Sequence, residues 1–122
     1  MNILQRLVLD FHVKYDHFRQ KKPDLVPWKV ETLRVRLLDE EVNEFVEASW
    51  YHDLQGIADA LGDILVVTFG AAVSYGIDIE PIFLEIHRSN MTKAGKDEGG
   101  KTIKGPDYEP PRIAEIIERQ KF

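Results

Sequence analysis

Two aspartates in an otherwise apolar stretch are the first residues of this sequence that could do chemistry. Asp59 and Asp63 lie within residues 57–73, where Thr68 is the other polar side chain. Residues four apart on a helix share one face, so both carboxylates would point the same way. A buried carboxylate needs a partner, and residues 37–87 contain no Lys or Arg. A metal ion is one such partner. The alternatives are that the two aspartates are exposed to solvent at one end of the helix, or that they pair with an arginine outside that range.

Glutamates on the preceding segment supply further carboxylates. On a helical wheel of residues 37–48, Glu41 falls inside the apolar arc and Glu44 falls at its edge. A glutamate that points into a core is rarely tolerated for stability alone. If Glu41 and Glu44 faced Asp59 and Asp63 across a helix pair, the four would form an all-oxygen site. Such hard ligands favour Mg²⁺, with Mn²⁺ also suitable, over zinc.

The charge distribution is a second functional signal. The formal net charge is −5, yet a basic segment, Arg88 to Lys104, follows the acidic middle of the chain. An acidic region followed by a basic one suits a site that handles metal ions and phosphates. A solvated acidic helix face followed by a flexible loop is the simpler interpretation and stays open at this point. The negative net charge argues against binding to a nucleic-acid polymer.

Several kinds of site are excluded by composition. The 122 residues include no cysteine, so disulfides, thiolate zinc sites and cysteine nucleophiles are absent. A ferritin-like di-iron site needs Glu-x-x-His pairs, and none of the four histidines has a glutamate three residues before it. Arg6 and Asp10 interrupt the first dozen residues, where a signal peptide would have an unbroken apolar core, so we expect a cytoplasmic protein.

Helices must position these groups. Apolar spacing predicts helices over about residues 2–20, 28–50, 57–75 and 78–90. Residues 93–111, with four glycines and three prolines, predict an irregular loop, and Ile113 to Ile117 predict a short terminal helix. The expected fold class is all-α: a four-helix-bundle core with a Gly/Pro-rich basic loop and a short C-terminal helix, in one domain spanning residues 1–122.

The third predicted helix is apolar on every side. Such a helix must be buried in a core, a subunit interface or a membrane. Residues 57–73 are shorter than the ~20 residues of a membrane span, and each aspartate would cost about 2.5–3.5 kcal/mol near the bilayer centre. We therefore expect no membrane contact and a bundle centre that is shared between subunits.

Two ordered motifs resemble the all-α NTP pyrophosphatase superfamily, which contains MazG-like enzymes, dimeric dUTPases and phosphoribosyl-ATP pyrophosphohydrolases. They are Leu-Leu-Asp-Glu-Glu-Val-Asn-Glu at 37–44 and Ala-Asp-Ala-Leu-Gly-Asp-Ile-Leu at 58–65. Residues 87–93 and 100–111 resemble the phosphoribosyl-ATP pyrophosphohydrolase-like branch, and the likeness covers roughly residues 10–113. The family's second motif is usually Glu-x-x-Asp, whereas Ala60 stands three residues before Asp63. Asp59 could supply the missing carboxylate.

The resemblance implies a Mg²⁺-dependent hydrolase that cleaves a nucleoside triphosphate between the α and β phosphates, releasing a monophosphate and pyrophosphate. The expected metal ligands are Glu41, Glu44, Asp59 and Asp63, and Glu40 or Glu44 would accept the proton of the attacking water. The expected substrate-binding residues are Arg88, Asn90, Lys93, Lys104 and Tyr108.

Several of these assignments have a simpler alternative, in which the residue has only a structural role. Asn90 could be a helix C-cap, the lysines could lie on a solvated loop, and Tyr108 could pack rather than stack on a base. The related enzymes assemble as dimers or dimers of dimers, so we expect a homodimer or a dimer of dimers here. An alternative of another class is a non-catalytic helical interaction module that docks a basic partner on its acidic face, which predicts that Glu41 points outward.

Overall fold

The computed structural model describes all 122 residues, of which 63% are helical. The chain divides into two compact units, an N-terminal unit of residues 1–77 and a C-terminal unit of residues 78–122. The N-terminal unit contains α1 (Ile3–Lys14), α2 (Trp28–Trp50) and α3 (Leu54–Tyr75). The C-terminal unit contains α4 (Ile79–Asn90), β1 (Ala94–Lys96), β2 (Thr102–Ile103) and α5 (Ile113–Gln120). The predicted all-α class is confirmed.

Helix α1 ends earlier than the apolar spacing predicted. Its N-cap is Asn2, whose side chain accepts a hydrogen bond from the Gln5 amide at 2.8 Å. The helix stops at Lys14 rather than near residue 20, because Asp16 has a left-handed backbone with φ 54°. Residues 17–20 therefore have no regular secondary structure, although Phe18 keeps the helical spacing of apolar residues.

Helices α2 and α3 are long, consecutive and packed against each other. Helix α2 has the bounds that the sequence predicted, whereas α3 starts three residues earlier than predicted, at Leu54. The earlier start follows from Asp53, whose side chain caps the helix by accepting from the Gly56 amide at 3.0 Å. At the other end, Gly76 closes α3 in the left-handed conformation, with φ 71°.

The connection between α1 and α2 completes the end of α3. The Gln20 amide donates to the Val73 carbonyl at 3.3 Å, and the Asp24 amide donates to the Tyr75 carbonyl at 3.1 Å. Both carbonyls belong to the last helical turn, where the regular helical donors run out, and the Val73 carbonyl also accepts from the amide of the C-cap Gly76 at 3.2 Å. A β-carbon at position 76 would collide with the carbonyl of Lys22, so this close approach requires glycine.

The C-terminal unit is tied together by side chains. The Gln120 side-chain amide exchanges two hydrogen bonds of 2.9 Å with the backbone of Asp78, which is also the N-cap of α4. The predicted irregular loop contains a short antiparallel hairpin in which Ala94 pairs with Ile103. The sequence predicted no strand here, because a pairing of two and three residues leaves almost no periodic signal.

Much of α3 has no cover within the chain. The buried residues of α3 are Ala60 and a group near its C-terminus, whereas Leu61, Leu65 and Val66 are exposed. At 22 residues, α3 is also long and apolar enough to cross a membrane, so the sequence argument from length was wrong. The argument from the two aspartates still applies.

Candidate functional site

Three carboxylates come together between α2 and α3. Glu41, Glu44 and Asp63 each offer a carboxylate oxygen, and these oxygens all lie within 4.8 Å of one another. Glu41 and Asp63 are half-buried, while Glu44 is exposed. Three oxygens at this separation could be brought onto a single cation with small side-chain rotations. We refer to Glu41, Glu44 and Asp63 as the acidic cluster.

The register of the two helices places the acidic cluster. Near the connection, a β-carbon at Gly56 of α3 would lie 3.2 Å from the β-carbon of Ala48 on α2. Glu41 is seven residues before Ala48, and Asp63 is seven residues after Gly56. Seven residues make nearly two full turns, so each helix returns to the same face. In an antiparallel pair, Glu41 and Asp63 must therefore face each other.

The electrostatics of the acidic cluster are unfavourable without a cation. Burial raises the pKa of the Glu41 carboxyl to about 7, and a hydrogen bond to Glu44 and the charges of Glu44, Asp63 and Asp59 add to the effect. Burial also raises the pKa of Asp63, with contributions from the charges of Asp59 and Glu44. The Oε2 atom of Glu41 is buried and has no hydrogen-bond partner. An orphaned oxygen among like charges fits a divalent cation.

The structure thus answers two alternatives raised by the sequence. Glu41 points inward, as its wheel position predicted, and not outward as an interaction module requires. No arginine pairs with the acidic cluster, because Arg36 instead contacts Glu40 across 3.8 Å and Arg34 forms no ion pair.

Asp59 and Glu40 lie outside the acidic cluster. Asp59 is exposed and is close enough to influence the pKa of Glu41 and Asp63, but its carboxylate is not among the converging oxygens. Glu40 is also exposed, on the α2 face that carries Arg36. The structure therefore brings together three of the four predicted metal ligands.

Among the predicted substrate-binding residues of the C-terminal unit, Arg88 is already engaged. It donates to both carboxylate oxygens of Glu85, at 2.7 and 2.9 Å, and lies 3.7 Å from Glu109. Hydrogen bonds from Arg88 and from the Arg112 amide lower the pKa of Glu85 to about 2. These contacts fasten α4 to the segment that precedes α5.

The other predicted substrate-binding residues are less constrained. Asn90 is the last residue of α4, and the C-cap is Met91, so a capping role does not explain Asn90. Lys93 is half-buried, and the Lys104 ammonium lies 5.1 Å from the centre of the Tyr108 ring. This cation–π contact accounts for part of the Tyr108 environment.

Sequence reasoning missed two buried polar residues, one on α2 and one on α1, that lie beside α3. Arg34 and His12 are buried, and both approach Gly70 of α3. Arg34 lies seven residues before Glu41, so a helical wheel begun at Trp28 rather than at Leu37 would have shown it on the inward face.

Comparison with known proteins gives the family. The profile of the phosphoribosyl-ATP pyrophosphohydrolase family matches residues 8–90, which is more than half of the chain. The chain belongs to this family. It is part of the MazG-like, all-α NTP pyrophosphatase superfamily, and membership supports a pyrophosphohydrolase-type activity in the broad sense. The matched range contains the acidic cluster, Asp59 and Asn90, whereas Lys93, Lys104 and Tyr108 follow it.

One curated relative is a viral protein. The chain is 41% identical over 63 residues to uncharacterized protein L479 of Acanthamoeba polyphaga mimivirus. This alignment covers 52% of the chain and 25% of the viral protein, so the chain matches about a quarter of that relative's length.

Proposed function

We propose that this member of the family is a Mg²⁺-dependent nucleoside triphosphate pyrophosphohydrolase. It would cleave its substrate between the α and β phosphates and release a nucleoside monophosphate and pyrophosphate. The observation that carries the proposal is the acidic cluster, with the buried and unpartnered Oε2 of Glu41, in a family of pyrophosphohydrolases. A buried oxygen of this kind is costly unless a ligand satisfies it.

The acidic cluster would hold the ion. Glu41, Glu44 and Asp63 supply oxygen ligands of the kind that Mg²⁺ takes, and Mn²⁺ would be accepted by the same set. When bound, the ion would neutralise phosphate charge and lower the pKa of a bound water. Asp59 is assigned a water-mediated contact, because its carboxylate lies outside the acidic cluster but affects its electrostatics.

Two carboxylates could accept the proton of the attacking water. Glu44 is the exposed member of the acidic cluster, so its carboxylate is accessible to a water molecule. Glu40 is exposed as well and ion-paired with Arg36. Either side chain can act as a base, since general bases need only reach the proton through a hydrogen bond or one water.

The remaining predicted residues are proposed to hold the nucleotide. Lys93 and Lys104 are proposed to bind phosphate oxygens, and Asn90 to donate a hydrogen bond. Tyr108 would offer its ring to the base. Arg88 is assigned a supporting role, because its guanidinium is occupied by Glu85 and Glu109.

We also propose that the protein is a homodimer or a dimer of dimers. The exposed apolar side chains of α3 support this, because a soluble helix of such composition is normally covered. The carboxylates of Asp59 and Asp63 favour a protein partner over a lipid one.

The test is a panel of ribonucleoside and deoxyribonucleoside triphosphates with Mg²⁺, in which pyrophosphate and orthophosphate are measured separately. We expect pyrophosphate from at least one substrate, loss of activity with EDTA, and loss of activity in Glu41→Gln. The matched control is Glu47→Gln, an exposed glutamate on the same helix, which should retain activity. Orthophosphate as the product, or activity that EDTA does not affect, would contradict α–β cleavage with a metal.

A further inference from the structure

Arg34 is a buried cation without a counter-charge in its own chain. The residue is 8% exposed, and its Nε atom is buried and has no hydrogen-bond partner. No ion pair or hydrogen bond joins any atom of the Arg34 side chain to another residue. An arginine does not lose its proton in proteins, so this is a permanent charge removed from water. Such a charge is costly unless something pairs with it.

The groups beside Arg34 carry no negative charge. A β-carbon at Gly70 would lie 2.8 Å from Nη1 of Arg34 and 3.2 Å from Nε2 of His12. Gly70 is therefore what allows the guanidinium to pack against α3. His12, which is 2% exposed, is the ring that borders the same point.

His12 is held as a neutral ring. Its Nδ1 lies 3.2 Å from the Phe18 carbonyl, and a carbonyl oxygen can only accept, so Nδ1 carries the proton. Nε2, the ring nitrogen that faces Gly70, is then without a proton. Burial lowers the pKa of His12, and the charge of Arg34 lowers it further. His12 therefore offers the guanidinium no charge compensation.

Arg34 lies on the same face of α2 as the acidic cluster. The pairs Ala48–Gly56, Glu41–Asp63 and Arg34–Gly70 are each separated from the next by seven residues on both helices. Arg34 is thus two turns, or about 10.5 Å along the helix axis, from Glu41. A fixed positive charge and a candidate metal site share one helix face.

We propose that Arg34 is the core of an oxyanion site that takes a phosphate group from outside the chain. A guanidinium binds phosphate through its fork of N–H donors, and Nε is one of the donors left without a partner. The phosphate group is either a free ion, such as inorganic phosphate or pyrophosphate, or the phosphate tail of a nucleotide. The second source rests on the proposed function, and the first does not.

The test measures the melting temperature of the full chain in EDTA, with phosphate or pyrophosphate compared with chloride at equal ionic strength. Because a ligand that binds the native state stabilises it, we expect a saturable rise of about 4 °C or more in the wild type. In Arg34→Met the rise is lost, whereas in Arg36→Met, the exposed arginine two residues later, it is kept. Gly70→Ala, which would displace Nη1, should weaken the apparent affinity for phosphate or pyrophosphate at least tenfold. This variant provides the test if Arg34→Met does not fold.

Further measurements distinguish the two possible sources of the phosphate group. A rise with free phosphate or pyrophosphate assigns the site to a free oxyanion, and a rise only with a nucleoside triphosphate assigns it to the substrate's tail; both uphold the proposal. With free phosphate or pyrophosphate as the ligand, the Lys93→Ala/Lys104→Ala double variant must keep the effect, since otherwise the anion binds to those lysines and the proposal is overturned. No Arg34-dependent rise with any of the three ligands also overturns it. If the melting temperature then depends on protein concentration in the wild type but not in Arg34→Met, the counter-charge is a carboxylate from a second copy. Since EDTA is present throughout, these outcomes are independent of Mg²⁺-dependent hydrolysis.

Discussion

The Ala48 side chain on α2 and the Gly56 backbone on α3 meet so closely that a methyl group added at Gly56 would require its neighbours to shift. A β-carbon added at Gly56 would lie 3.2 Å from the β-carbon of Ala48 and 2.5 Å from Oδ2 of the capping Asp53. This contact sets the distance between the two helices one heptad before the acidic cluster. The chemistry of the proposed site therefore depends on a glycine that carries no functional group.

Gly56→Ala should accordingly lower stability by about 1–2 kcal/mol, because it disturbs both the Asp53 cap and the helix contact. Gly62→Ala is the matched control on the same helix, since nothing lies within 4 Å of a β-carbon there. Removing a glycine from a helix interior stabilises it, so Gly62→Ala should gain about 0.5–1 kcal/mol. Denaturant unfolding of both variants checks this. A loss of stability in Gly62→Ala would instead indicate that Gly62 lies in an interface between copies.

Asp63→Asn and Asp59→Asn should differ in activity. Asp63 belongs to the acidic cluster, so Asp63→Asn should abolish Mg²⁺-dependent turnover. Without metal it should melt at the same or a higher temperature, because it removes one of the charges that raise the pKa of Glu41. An active Asp63→Asn protein would mean that the metal is held elsewhere.

For Asp59→Asn, a contact through water predicts reduced but measurable turnover, and a direct ligand predicts complete loss. If Asp59 is only structural, the variant should lose apo stability and keep its activity. Melting temperature and kcat, measured together, separate these three cases.

Lys93→Ala should raise KM several-fold and leave the free energy of unfolding within about 0.5 kcal/mol of the wild type. The reason is that the proposed role of Lys93 is to bind phosphate, and no hydrogen bond or ion pair of its side chain supports the fold. Lys96→Ala, an exposed lysine in β1, is the control and should leave KM unchanged. Equal KM values for the two variants would indicate that the basic segment is a solvated loop that does not bind the substrate.

The N-terminal unit should lose stability in mild acid because of His12. Burial lowers the pKa of His12 in the folded state, and the charges of Arg34 of α2 and of His17 and Arg19 of the following loop lower it further. The hydrogen bond to the Phe18 carbonyl acts in the opposite direction without reversing the shift. Unfolded His12 takes up a proton near pH 6.5, whereas folded His12 does so only at lower pH. The contribution of the neutral His12 ring to the free energy of unfolding is therefore fully present above pH 6.5. It is lost as the pH falls through the pKa of His12 in the folded state.

Unfolding measured between pH 7.5 and 5 checks this dependence. His12→Gln should flatten it, and the matched variant His52→Gln, at the exposed connection of α2 and α3, should not. An unchanged pH profile in His12→Gln would show that another group carries the titration.

Light scattering should report a mass of at least twice the 14.1 kDa of one chain. Leu65→Asp, which puts a charge at a 53% exposed position on the apolar face of α3, should lower that mass, because burying the new charge is unfavourable. Leu25→Asp, in the loop before α2, should not change it. A 14.1 kDa species for the wild type at micromolar concentration would contradict the proposed assembly.

The parts of the structure that the sequence could predict are those with a local cause. The bounds of α2 follow from Pro27 and a sustained apolar period, and the inward position of Glu41 follows from the same period. The end of α1 could not be predicted, because Phe18 extends the apolar pattern while Asp16 breaks the helix.

Contacts between segments that are distant in the sequence could not be predicted either. Nothing in the sequence indicates that Glu85 would form an ion pair with Arg88 or that Arg34 would pack against Gly70, since both contacts depend on how separate elements pack. Asp59 shows the same limit within a single helix. Its spacing from Asp63 predicted a shared face, but convergence on a common point also depends on the position of α2.

The hydrogen bonds from Gln20 and Asp24 to the last turn of α3 also bear on how the chain folds during synthesis. These partners are made some fifty residues before Val73 and Tyr75, so they are already outside the ribosome when α3 is completed. Helix α3 can therefore be capped as soon as its last residues emerge. A fragment that begins at Leu25 would contain all of α2 and α3 but leave the carbonyls of Val73 and Tyr75 without these partners, and its exposed apolar helix would favour aggregation over folding.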